Sequence, residues 1–465
     1  MISKFFGSYP RGFWGLSTTK MCFNFSFYGF RAFFVLYAIS QFSLSEYEAV
    51  SFFATVMTLS YATSLLGGWV ADNSLGLKNT ILLGGFLQAS GYCLLMASSL
   101  AYYAAALAFI TLGSGFCKPT LPAALGLLFT NPQDPEKDKA YSTFYIAMNL
   151  GSFIAPLLCG VLNTICGAYW GGFSALILSL VMGISVFYRT FNGRSRRPLK
   201  TFFCHPLFVG GGLTFLLTLF YLLFTYHNSF HHLMGGITLG SLLYVGHLLR
   251  QSSPDVRKNI VCIMGYVALF TIFCAFFEQA GSSLMLFFDK AVDRQVMGFQ
   301  LPSSTLLSLS PIFILLWGPM FILFSKKVLE RKAPIRGLVK IGGGFLCIGL
   351  SFIILALGCT QATVLVSPLW VVGAIFIQTM GELWVVPIVF SRISQLSPPH
   401  FEGLMMSFTM MAIAYGHYVG GYLAQFSLHE AGTSLHHYEM FFNHLALIPC
   451  LVSLVLFLSL YAKKS

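Results

Sequence analysis

The chain has 465 residues, of which 56% are hydrophobic and only 9% charged, and its mean hydropathy is +0.76. Soluble domains carry about 25% charged residues, so a soluble enzyme or binding module is excluded and a polytopic membrane protein is required. The net charge of +12 invites a nucleic-acid partner, but the placement of the cations excludes one. Arg31 and Lys118 lie inside apolar segments and Lys290 and Arg294 share one loop. The other cations, Lys20 among them, fall on alternate loops or same-side span ends. That positive-inside pattern puts both termini in the cytoplasm.

At about 20 apolar residues per span, the chain divides into fourteen spans: 21–42, 48–71, 79–98, 100–126, 141–163, 168–188, 204–225, 230–249, 258–288, 307–325, 337–359, 366–394, 401–426 and 440–461. Lys4, Arg11 and Lys20 are spread over a mixed polar segment before the first of them, which is not a cleavable-signal pattern. The expected organisation is an N-terminal six-helix bundle (1–190), a linker with a two-helix insert (191–255), and a C-terminal six-helix bundle (256–465). The basic loops 189–200 and 326–336 face inward, and the loops at 43–47, 98–101, 163–168, 226–230 and 360–366 carry no Lys or Arg. Two six-span halves around a midplane site is the plan of carriers that rock between inward-open and outward-open states.

Four charged residues stand well inside spans. Arg31 follows F-Y-G-F in the first, and Lys118 lies in G-S-G-F-C-K-P (113–119) in the fourth. Gly113 and Gly115 permit close helix approach, and Pro119 permits a break beside the charge. The segment lacks the G-x-x-x-x-G-K-[ST] pattern of a phosphate-binding loop. Residues 204–249 contain no Asp, Glu, Lys or Arg, which reads as a peripheral insert outside any pathway.

Glu278, in F-F-E-Q-A-G-S-S-L (276–284), has small and polar neighbours suited to a water-lined bend. Glu382 sits near the middle of F-I-Q-T-M-G-E-L-W-V-V-P-I-V-F-S-R (376–392), with Gly381 and Pro387 able to loosen the helix. A charge at mid-span costs ~2.5–3.5 kcal/mol on insertion scales and marks a functional site by default. Cations on one half and carboxylates on the other predict a polarised wet cavity, suited to a solute carrying both signs. Two interhelical ion pairs are the plainer reading, and a weak one, because desolvation offsets most of what such a pair contributes.

His417, in Y-G-H-Y-V-G-G, can carry a proton near neutral pH or serve as a packed structural histidine. His429, His436, His437 and Glu439 are spaced as a solvated loop, so no metal is expected. The eleven Cys show no C-x-x-C and read as small apolar packing residues; Cys166 and Cys359 both fall near outward ends.

Six segments in order carry a family resemblance over nearly the whole chain: F-Y-G-F-R (27–31), G-G-W-V-A-D-N-S-L-G (67–76), G-S-G-F-C-K-P, F-Y-I-A-M-N-L-G-S-F-I-A-P (144–156), F-E-Q-A-G-S-S-L and G-E-L-W-V-V-P (381–387). Together they resemble the proton-dependent oligopeptide transporters, a branch of the major facilitator superfamily whose bacterial members carry two extra helices. The resemblance implies that Glu382 and Asn149 hold a peptide amino terminus, Arg31 and Lys118 its carboxylate, and Tyr28 and Tyr61 its backbone. It implies that Glu278 pairs with Arg31 and, with Lys118, gates the two faces. No cofactor and no protein partner are implied, only peptide, protons and lipid.

The chain departs from the family where E-x-x-E-R is usual, reading Lys20-M-C-Phe23-Asn24. Ser310 stands where the family usually has Asn in a substrate-facing N-P, which implies that it too meets the substrate, while Thr409 replaces a frequent Trp and His417 a common Asn. The proton inventory shrinks to Glu278, Glu382 and His417. The expectation is a proton-coupled di- and tripeptide carrier of the bacterial inner membrane. The alternative is a same-fold carrier of another small anionic or zwitterionic solute, or an uncoupled peptide facilitator.

Overall fold

The structure, a computed structural model, describes residues 9–129, 135–191, 206–226, 229–296, 298–328, 333–397, 402–429 and 434–462. Most of the basic loop 189–200 and residues 329–332 of the second inward loop lie outside them. Within a bilayer every backbone N–H and C=O must be satisfied inside the chain, which leaves helices as the economical solution for so apolar a sequence.

In chain order the helices are α1 (Phe13–Phe42), α2 (Glu46–Ala62), α3 (Ser64–Asn73), α4 (Gly76–Met96), α5 (Leu100–Gly126), α6 (Pro135–Cys166), α7 (Trp170–Thr190), α8 (Pro206–Thr225) and α9 (Ser229–Gln251). They continue as α10 (Pro254–Phe277), α11 (Ser283–Lys290), α12 (Leu309–Val328), α13 (Ala333–Gln361), α14 (Pro368–Leu396), α15 (Glu402–His429) and α16 (Leu435–Ala462). Taking α2 with α3 and α10 with α11, the described residues form the fourteen helical spans expected. By length and composition 10 of these described segments suffice to cross a membrane, and Gly210–Thr225 and Ser303–Gly318 are shorter apolar helices.

The chain forms two compact units, Met1–Leu44 with Leu59–His227, and Ser45–Thr58 with Asn228–Ser465. The division cuts α2 and separates α8 from α9. In the first unit, glycines set the helix spacing. A Cβ built on Gly113 would lie 2.5 Å from the Gly84 carbonyl oxygen and 2.6 Å from the Gln88 nitrogen, so α4 and α5 meet backbone to backbone. Gly67 on α3 abuts the Gly115 carbonyl in the same manner. Neither neighbour can yield as a side-chain tip would. Gly113→Ala should therefore cost about 1–3 kcal/mol as an overpacking substitution. Gly211→Ala, with nothing within 4 Å of its Cβ, should leave thermal unfolding of the purified protein unchanged.

In the second unit, a cluster of Phe273, Phe287, Phe345, Phe352 and Phe442 fills the space between α10, α11, α13 and α16. Gly381 on α14 faces the Gly344 carbonyl of α13, 2.8 Å from its built Cβ. Beyond α11, a two-stranded hairpin, β1 (Gln295–Val296) and β2 (Phe299–Gln300), lies on the loop that ties α11 to α12. Here Arg294 pairs with Asp289 at 3.2 Å and Lys290 with Glu46 at the start of α2.

The prolines act more mildly than the sequence predicts. The helix α5 continues through Pro119 and Pro122, and α14 through Pro387. The break falls instead at Glu278, where α10 ends and a 3-10 turn, Glu278–Gly281, leads to α11.

Candidate functional site

In the first unit an aromatic run connects the two expected cations. The Lys118 ammonium lies 3.3 Å from the Tyr61 ring centroid and 3.9 Å from that of Phe27. Phe27 meets both Tyr61 and Tyr28 edge-on, at 6.3 and 5.6 Å between centroids. The Arg31 guanidinium stands 5.9 Å over the Tyr28 ring. Tyr28, Arg31, Tyr61 and Lys118 thus form one constellation, in which the ring faces attract the cations electrostatically, by about 2 kcal/mol or more where water is excluded.

Asn149 lies on α6, beside the same helix α1. Its amide nitrogen donates to the Tyr145 carbonyl at 2.9 Å, and one turn later Ser152 accepts a bond from Asn24 at 3.3 Å. Gly151 permits this approach, since its face abuts the Met21 carbonyl. Both Asn149 and Asn24 are buried.

In the second unit Glu278 and His417 come together. The His417 Nε2 lies 3.7 Å from the Glu278 carboxylate, and the two residues are 3% and 9% exposed. The turn that presents Glu278 is held rigidly. Gln279 donates to the Gly420 carbonyl of α15 at 2.9 Å, and Ser283 donates to the Gln279 side-chain oxygen at 2.6 Å. Glu382 belongs to the same region: it and Glu278 both lie near enough to the Cys274 thiol for their charges to act on it. Gln378, one turn before Glu382, donates to the Phe277 carbonyl at 3.1 Å, and Thr379 donates to Ser310 at 3.2 Å. Ser310 therefore braces the Glu382 helix. Thr409 is fully buried on α15.

The two units differ in the sign of what they bury. Among the residues of the first unit whose side chains are described, the carboxylate is the exposed Asp72, while Lys20 and Arg31 are buried and Lys118 is partly buried. Lys20 is the cation that the sequence misplaces at a span end. The helix begins eight residues earlier than the apolar run suggests, at Phe13, and Lys20 is 8% exposed inside it. The buried apolar residues Phe13 and Leu16, at helical spacing before it, are the signal for the longer helix.

Outside this region, His436 lies 3.3 Å from Glu439 on an exposed surface, and among the described residues no three His, Cys, Asp or Glu converge as metal ligands. Cys166 and Cys359 are both free thiols.

The sequence profile of the POT family matches residues 78–439. The chain is 29% identical over 423 residues to an uncharacterized transporter of Bacillus subtilis (strain 168), a match that covers 87% of this chain and 85% of that one. It is 28% identical over 491 residues to a di-/tripeptide transporter of Lactococcus lactis subsp. lactis (strain IL1403), covering 97% and 95%. The crystal structure of a peptide transporter POT in complex with sulfate matches with a TM-score of 0.84 at 25% identity, over 98% of this chain and 96% of that one. The helical major facilitator fold expected from the sequence is the fold found, with the short β1–β2 hairpin added to it.

Proposed function

Because the chain belongs to the POT family, a family of transporters and not of enzymes, we propose that it takes up di- and tripeptides across the bacterial inner membrane, coupled to protons. In this reading both termini are cytoplasmic, as the distribution of Lys and Arg supports. Arg31 and Lys118 receive the peptide carboxylate, Glu382 and Asn149 its amino terminus, and Tyr28 and Tyr61 bond to its backbone, with Ser310 facing the substrate.

The observation that carries the reading is the segregation of sign: buried cations in the first unit, and Glu278 and Glu382 with His417 in the second. A zwitterion is the solute such a division serves, because each of its ends finds an opposite charge without water. The pair of Glu278 and His417 supports proton coupling. A proton taken up by the imidazole turns a neutral His417 beside the Glu278 carboxylate into an ion pair and its release reverses this, and the Glu278 turn beside it is where the helix is broken.

The test is uptake of labelled Ala-Ala into proteoliposomes with and without an inward-directed proton gradient. The gradient is expected to drive accumulation above equilibrium and to be dissipated by it. Peptide uptake that equilibrates without regard to the gradient would show an uncoupled facilitator. Uptake of other small anions in place of peptide would overturn the substrate assignment.

A further inference from the structure

Lys20 is buried to more than nine-tenths within the membrane-length helix α1. Among the described residues it has no hydrogen-bond or ion-pair partner. The titratable group near enough to act on its charge is Cys117. That thiol is not a counter-anion, because it is a donor, directed at the Ile81 carbonyl at 3.6 Å. Among the side chains described in the same unit, the carboxylate is Asp72, which is exposed. An ammonium taken out of water without an opposite charge costs several kcal/mol. It is retained either by giving up its proton or by meeting an anion that arrives from outside.

Its position connects it with the constellation already described. Lys20 precedes Asn24 by four residues and Phe27 by seven, so the three lie on one face of α1. Phe27 touches the Lys118 ammonium. Cys117, near enough to Lys20 for their charges to interact, is the chain neighbour of Lys118, so Lys20 lies in the neighbourhood of the Lys118 turn of α5. In the reading above, the substrate carboxylate is already held by Arg31 and Lys118. A further cation on the same face calls for a further anion on the substrate.

We propose that Lys20 is a specificity-determining residue that receives a second carboxylate, so that the preferred substrates are peptides with an Asp or Glu side chain. The inference rests on the peptide reading and adds to it the substrate class. Asn24, bonded to Ser152 on the same face, gives that carboxylate a polar border, and among the side chains described in the first unit no buried acid opposes it.

Ala-Glu and Ala-Gln have nearly the same shape and differ in this one charge. Competed against labelled Ala-Ala in proteoliposomes, Ala-Glu is expected to bind about tenfold or more tightly than Ala-Gln, the scale of one charge-assisted bond. In Lys20→Gln the ratio should fall to about one, and in Lys20→Arg it should persist. A merely structural lysine would depress both peptides equally and leave the ratio unchanged. Equal competition by the two peptides in the wild type, or an unchanged ratio in Lys20→Gln, overturns the proposal and leaves peptide transport standing. If neither peptide is carried, the peptide reading itself fails and this inference with it.

Discussion

Replacing Glu382 with Gln is expected to lower dipeptide uptake by one to two orders of magnitude with little change in stability. The side chain is partly buried on α14, and the helix under it is fixed independently, by Gln378 on the Phe277 carbonyl and Thr379 on Ser310. Glutamine keeps the volume and one carbonyl acceptor, so the packing around Gly381 and Gly344 is untouched. What is lost is the charge that meets the peptide ammonium. A hydrogen bond to a charged group contributes about 1.5–3 kcal/mol, and each 1.36 kcal/mol is a factor of ten. Counterflow of labelled peptide, which requires binding and exchange but no gradient, separates this loss from one of proton coupling. Wild-type counterflow in Glu382→Gln removes Glu382 from the binding site.

Lys118→Met should abolish uptake more completely, by two orders of magnitude or more. Methionine approximates the apolar stem of lysine and can fill the space between Phe27 and Tyr61, but it removes the ammonium that both rings face. Two attractions are lost together, that of the rings for the cation and that of the cation for the substrate carboxylate. Lys118→Arg keeps the charge with a broader planar head, which does not fit an ammonium position 3.3 Å from a ring centroid without displacement. It is expected to retain a measurable fraction of uptake. Thermal unfolding should place Lys118→Met close to the wild type, since the apolar contacts survive. If Lys118→Met transports as well as Lys118→Arg, charge at this position is irrelevant, and the carboxylate site lies elsewhere.

Both effects arise from charges that were conspicuous before any coordinates. Arg31, Lys118, Glu278 and Glu382 stand out in an apolar sequence because a bilayer penalises a charge at mid-span. The fourteen spans were legible for the related reason that every crossing must be long, apolar and helical. The bend at Glu278 was legible from its small and polar neighbours. Proline was a poorer guide: Pro119, Pro122 and Pro387 remain in continuous helices, because one missing N–H in a long helix is tolerated where neighbouring helices hold the rest.

Other features depend on partners far apart in the chain. His417 and Glu278 meet at 3.7 Å although 139 positions separate them, and no local pattern encodes that approach. The same holds for Lys118 against Tyr61 and Phe27, and for Ser310 as a brace beneath Thr379. Lys20 reads as a span-end residue in the sequence because its immediate neighbourhood is mixed in polarity. Its burial is conferred by packing of α1 against other helices, Cys117 of α5 among the nearby groups. Hydrophobic patterning thus dictates which segments enter the membrane, since each segment meets lipid on its own terms. Which buried charge faces which partner is set by the close approach of glycine-lined helices, a property of surfaces in contact that no single stretch of chain contains.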